Sequence, residues 1–105
     1  MSVRALAAAA ALAVAASAAL AASATREIVM EAVAFKPASI TVNAGDTIQW
    51  VNRDAFPHTA TANDKRFDSG EIAPGATWKL VAKEKGTFAY LCAYHPTMKG
   101  TLVVR

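Results

Sequence analysis

Cysteine is almost missing from these 105 residues, with Cys92 standing alone. A single thiol excludes an internal disulfide, and an unpaired one is unusual in an exported chain, whose compartment is oxidising. Histidine is nearly as scarce, limited to His58 and His95. A concentrated basic stripe is also lacking. Glu27, Glu31, Asp46, Asp54, Asp64, Asp68, Glu71 and Glu84 interrupt every basic run, which excludes a nucleic-acid footprint. The formal charge is +3, or +2 without Arg4 (ten Lys and Arg against eight Asp and Glu). No sustained helical period runs through residues 25–105, and no repeat, low-complexity tract or linker follows Thr25.

What is present falls into two parts. Arg4 and the uncharged, alanine-dominated run from Ala5 to Ala22 lead to the small-x-small site Ala22-Ser23-Ala24. This is the pattern of a secretory signal peptide over residues 1–24, with Ala19-Leu20-Ala21 as a second place to cut. A transmembrane anchor fits less well, because the run is alanine-rich and no stop-transfer charge cluster follows. Residues 25–105 are then one domain of 81 residues. A chain of that size buries only about 60–65% of its unfolded surface and is marginal without help. A bound metal would stabilise it and keep the lone thiolate occupied.

The domain reads as all-β. Polar and apolar residues alternate from Glu27 to Phe35, with Ile28, Met30, Ala32 and Ala34 on one side, and this predicts one strand. Further strands are expected at Ser39–Val42, Thr47–Asn52, Thr59–Asn63, Thr77–Lys83 and Thr87–Cys92, with a final one at Thr101–Val104 after release by Gly100. Asn43-Ala44-Gly45-Asp46, Pro74-Gly75 and Lys85-Gly86 supply turns. Seven or eight short strands punctuated in this way make a sandwich or a barrel.

The chemistry gathers in Leu91–Gly100, where the lone cysteine opens the spacing Cys92-x2-His95-x2-Met98. Taken singly, each of these residues has an ordinary structural use: a buried cysteine as a small hydrophobe, a methionine as filler, a histidine at the surface. Together, thiolate, imidazole and thioether form a soft, copper-selecting set. The other histidine, His58, follows Pro57 directly and supplies the missing strong donor. Two histidines and a cysteine in a plane with a weak axial methionine is the blue-copper electron-transfer arrangement. Zinc held by one cysteine and two histidines would leave the thioether unexplained.

The chain resembles the cupredoxins, the small blue copper proteins, across nearly all of Phe35–Val104. The segments that carry the likeness are Phe35-Lys36-Pro37, Ile40-Thr41-Val42, Gly45-Asp46-Thr47, Trp50-Val51-Asn52, Pro57-His58-Thr59, Phe67-Asp68-Ser69-Gly70, Pro74-Gly75, Gly86-Thr87-Phe88 and Cys92–Gly100. The two residues between His95 and Met98 look most like the amicyanin branch, plastocyanins having a longer spacing. The resemblance implies a Greek-key β-sandwich, one type 1 copper ion per chain, and His58, Cys92, His95 and Met98 as its ligands. It also shows departures: Thr59 stands where relatives often carry an asparagine that ties the ligand loops together. Tyr94 stands where amicyanin has proline, and Thr97 where it has an aromatic residue.

The function expected is a soluble periplasmic electron carrier, cycling between Cu(II) and Cu(I) and meeting redox proteins transiently as a monomer. It would bind no small-molecule substrate, and no stable membrane association would remain after cleavage. Copper buffering or delivery could use the same four ligands, although a chaperone would profit from more spare Met or His than Met30 alone. A cysteine-nucleophile enzyme would need a base, an orienting group and an oxyanion site around Cys92, and nothing in the sequence supplies the last.

Overall fold

Ile48, Trp50 and Asn52 alternate with Thr47, Gln49 and Val51, and this period of two buries the first set completely. The same device recurs along the chain. The computed structural model describes residues 22–105; the expected signal segment lies outside the described residues up to residue 21. Eight strands form: β1 Thr25–Met30, β2 Phe35–Lys36, β3 Ser39–Val42, β4 Thr47–Asn52, β5 Thr61–Ala62, β6 Thr77–Val81, β7 Gly86–Cys92 and β8 His95–Val104. They build two four-stranded sheets, ordered β2-β1-β4-β6 and β3-β8-β7-β5, packed as a β-sandwich. Among the described residues there is no helix.

The core lies between the sheets. Ile28, Met30, Ile48 and Trp50 meet Phe88, Tyr90, Cys92, Leu102 and Val104, all under 10% exposed. Aromatic rings set the spacing at the centre: Trp50 stands edge-on to Tyr90 at 5.6 Å, and Phe35 to Tyr90 at 4.7 Å. The turn Asn43–Asp46 carries the chain from one sheet to the other. The Asp46 carboxylate accepts the N–H groups of Ala24 and Asn43, both at 2.9 Å. Thr47 N–H donates to the Ala24 carbonyl at 2.9 Å, and Ala44 N–H to that of Arg105 at 2.8 Å.

Two strand expectations are corrected. The Glu27–Phe35 alternation does not make one strand, because Glu31–Ala34 folds into a tight hairpin turn with Ala32 and Val33 at φ 55° and 56°. Ala32 is exposed and Ala34 only half-buried, so neither extends the Ile28–Met30 face. Gly100 does not release the ligand loop into a strand, because β8 already starts at His95. Gly100 pairs with Tyr90 across the ladder, and a Cβ there would run into the Tyr90 ring. The glycine serves to let that ring lie across the strand.

Candidate metal centre

Three donors converge at one end of the sandwich. Phe88, Tyr90 and Cys92 share the inward face of β7, and Cys92, its last residue, is fully buried. The chain reverses at once, pairing Cys92 with His95. The regular ladder resumes at Leu91 opposite Lys99, so Pro96, Thr97 and Met98 form a bulge in β8. Met98 is 2% exposed and begins the inward series Met98, Gly100, Leu102, Val104. His58 arrives from the segment between β4 and β5. Its backbone is locked by a reciprocal pair with Ile72, at 3.1 Å from His58 N and 2.7 Å from Ile72 N.

The donor atoms of His58, Cys92 and His95 all lie within 4.8 Å of one another. Cys92 Sγ is 3.6 Å from His58 Nδ1 and 3.8 Å from His95 Nδ1. Metal–nitrogen and metal–sulfur bonds of about 2.0 and 2.3 Å, opened at 120°, separate N and S by about 3.7 Å. The two edges therefore suit an ion between the donors, and a thiolate with two imidazoles and a neighbouring thioether is copper's preferred company. His58 is fully buried; His95 is half-buried. Phe56, 41% exposed, rests against both rings with centroids at 5.3 and 5.7 Å.

Thr59 ties the two ligand loops together. Its N–H donates to Cys92 Sγ at 3.3 Å, and its Oγ1 accepts Ala93 N–H at 2.7 Å. The Thr59 and Thr61 hydroxyls meet at 2.9 Å, and Thr61 Oγ1 is 3.0 Å from the Asp68 carboxylate. A carboxylate only accepts, so Thr61 spends its proton on Asp68 and Thr59 must donate to Thr61. Hydrogen bonds thus run one way, from the Ala93 amide through two buried hydroxyls to Asp68. The Gly70 N–H and the Thr61 hydroxyl hold the Asp68 carboxyl below its ordinary range despite opposing desolvation. Tyr94 adds a second tie from the ligand loop, donating to Glu71 Oε1 at 3.1 Å.

All four residues expected at the site lie at this end of the fold, with the donor atoms of His58, Cys92 and His95 clustered and Met98 buried in the adjoining bulge. Asp54 and Asn52 escaped the sequence reading. Asn52, fully buried, accepts the Asp54 N–H at 2.9 Å and donates to the carbonyls of Phe56 and Ile72 at 2.9 and 3.0 Å, bracing the loop before His58. Asp54 Oδ2 lies 2.7 Å from His58 Nε2. Desolvation works against its ionisation, but bonds from His58, Val33 and Ala32 outweigh that and keep the carboxyl below its ordinary value.

A family model described as a cupredoxin-like domain matches residues 4–104. The chain belongs to the cupredoxin-like family. Its donor set fits the single type 1 copper ion of that family. Amicyanin-alpha of Methylorubrum extorquens is 35% identical over an alignment of 118 positions covering 97% of this cupredoxin and 99% of the relative. Plastocyanin of Scenedesmus fuscus is 33% identical over 87 positions, covering 70% and 89%. Among solved structures, a Cu(I) form of an amicyanin variant superposes with a TM-score of 0.72 at 26% identity, covering 77% of this chain and 82% of that one. A purple cupredoxin from Nitrosopumilus maritimus shares the fold, with a TM-score of 0.71 at 24% identity over 76% of this chain and 99% of that one.

Proposed function

We propose that this cupredoxin is a soluble periplasmic electron carrier, exported by a cleaved signal peptide and holding copper on His58, Cys92, His95 and Met98. The single observation that carries the reading is the convergence of the His58, Cys92 and His95 donor atoms within 4.8 Å, at spacings an ion would bridge. Copper supplies the one-electron couple between Cu(II) and Cu(I). The chain's own residues supply rigidity: Ile72 pins the His58 backbone, Thr59 N–H fixes the sulfur, and the sheet ladder sets Cys92 against His95. Donors held this firmly have little room to move between oxidation states, which suits fast exchange.

His95 offers the way in and out. It is the half-buried member of the set, and exposed Phe56 and Tyr94 with Pro96 give it an apolar surround. A small apolar contact suits brief encounters with redox proteins. Burial of His58 and Cys92 at 0% and Met98 at 2% favours retention of the ion over delivery to another protein. The chain acts without substrate turnover, as a monomer.

The test is the absorption spectrum on adding Cu(II) to the metal-free protein. An intense blue band, bleached by mild reductant and absent in Cys92→Ala, is expected. A colourless wild-type complex would overturn the reading.

A further inference from the structure

We propose that Asp54 is the positioning residue of the centre: it determines which ring nitrogen of His58 faces the metal, and the β1–β2 turn holds it there. The metal half of this rests on the copper reading above; the histidine half does not.

The Asp54 side chain is only 10% exposed and makes three contacts. Oδ2 lies 2.7 Å from His58 Nε2 and accepts Val33 N–H at 2.9 Å, while Oδ1 accepts Ala32 N–H at 2.7 Å. An ionised carboxylate can only accept, so the neutral imidazole must carry its proton on Nε2. Nδ1 then presents a lone pair toward Cys92 Sγ, 3.6 Å away. The opposite tautomer would aim a hydrogen into the donor cluster and bar an ion from it. A carboxylate behind a ligating imidazole also raises its basicity, favouring the more highly charged metal state.

The turn explains why the carboxylate stays put. Ala32 and Val33 both have positive φ, as a two-residue type I′ hairpin requires, yet neither is the Asn or Gly that adopts it readily. A β-branched valine there is strained. Both amides point at one carboxylate, and those charge-assisted bonds offset the strain. Turn and carboxylate therefore hold each other, and Asn52 fixes the Asp54 amide from behind.

Three variants separate positioning from turn support: Asp54→Asn, the paired Ala32→Asn/Val33→Gly, and the combination. Asn-Gly satisfies the turn without help from Asp54. In metal-free protein, 15N chemical shifts of the neutral His58 ring should report the Nε2–H form in the wild type and in Ala32→Asn/Val33→Gly. Asp54→Asn should populate the Nδ1–H form in either background. Copper-loaded Asp54→Asn should lose about 10–100-fold in Cu(II) affinity. A tenfold loss confined to Cu(II) raises the potential by about 59 mV. The proposal falls if wild-type His58 carries its proton on Nδ1, or if Asp54→Asn is silent once the turn is Asn-Gly. A wild type that forms no blue complex would sink the electron-carrier reading, while the ring shifts would still decide the role of Asp54.

Discussion

Thr59→Val isolates the one-way hydroxyl chain, because valine keeps the side-chain shape and deletes one acceptor and one donor. The Ala93 amide loses its 2.7 Å partner. Thr61 keeps its bond to Asp68 and loses only an incoming proton at 2.9 Å. The dominant loss is thus one unsatisfied N–H, about 1–3 kcal/mol when such a group is buried. Ala93 sits in an exposed loop, so water recovers part of this and the added buried methyl offsets some more. A net loss of about 1–2 kcal/mol remains. For a domain of this size that lowers Tm by roughly 4–8 °C per kcal/mol. Urea unfolding of the metal-free protein is the assay, so that metal affinity does not enter by mass action. Thr61→Val and the double variant complete a cycle. Breaking the same hydroxyl contact twice costs it once, so the pair should be coupled by about 0.5–1.5 kcal/mol. Additive costs, or a silent Thr59→Val, would refute the directional chain.

Three other outcomes are expected. Gly100→Ala forces a Cβ against the Tyr90 ring and should cost about 1–3 kcal/mol in thermal or urea unfolding, whether or not copper is bound. The amides of Ala24 and Asn43 hold the Asp46 carboxyl below its ordinary 3.8. Its contribution is therefore complete above that value and is lost as pH falls through the depressed native one; an acid titration of stability should be shallower in Asp46→Asn. The second cut, after Ala21, rather than the one after Ala24, is the outcome expected here, so mass spectrometry of the mature protein should find Ala22 and not Thr25 as its first residue. A cut after Ala21 keeps the Ala24 bonds to Asp46 and Thr47, and one after Ala24 removes them.

The cluster of His58, Cys92 and His95 was legible because its members are either local or scarce. Cys92, His95 and Met98 sit at three-residue steps in one loop, and His58 was the only other histidine available. The strands with strict alternation, β4 and β7 above all, read directly from their period of two. What escaped depends on partners distant in sequence. The Glu31–Ala34 turn has no Gly or Asn to announce it, because its stabiliser is Asp54, about twenty residues further on. Asp54 itself looked like an ordinary loop acid, since four-residue spacing to His58 carries meaning on a helix and none in a loop. The placing of Gly100 opposite Tyr90 is a fact of cross-strand register, invisible in either strand alone.

The turn at Asn43–Asp46 gathers Ala24 and Arg105, the residues that flank the first and last strands, at one pole. Gly86, paired with Val104, stands at that pole, and Cys92 lies six residues further along β7. At about 3.3 Å per residue this places the redox end some 20 Å away. A tag, tether or electrode linker joined at Ala24 or Arg105 would leave the molecule from its far side. Immobilised that way, the protein would stand with its candidate metal centre turned outward.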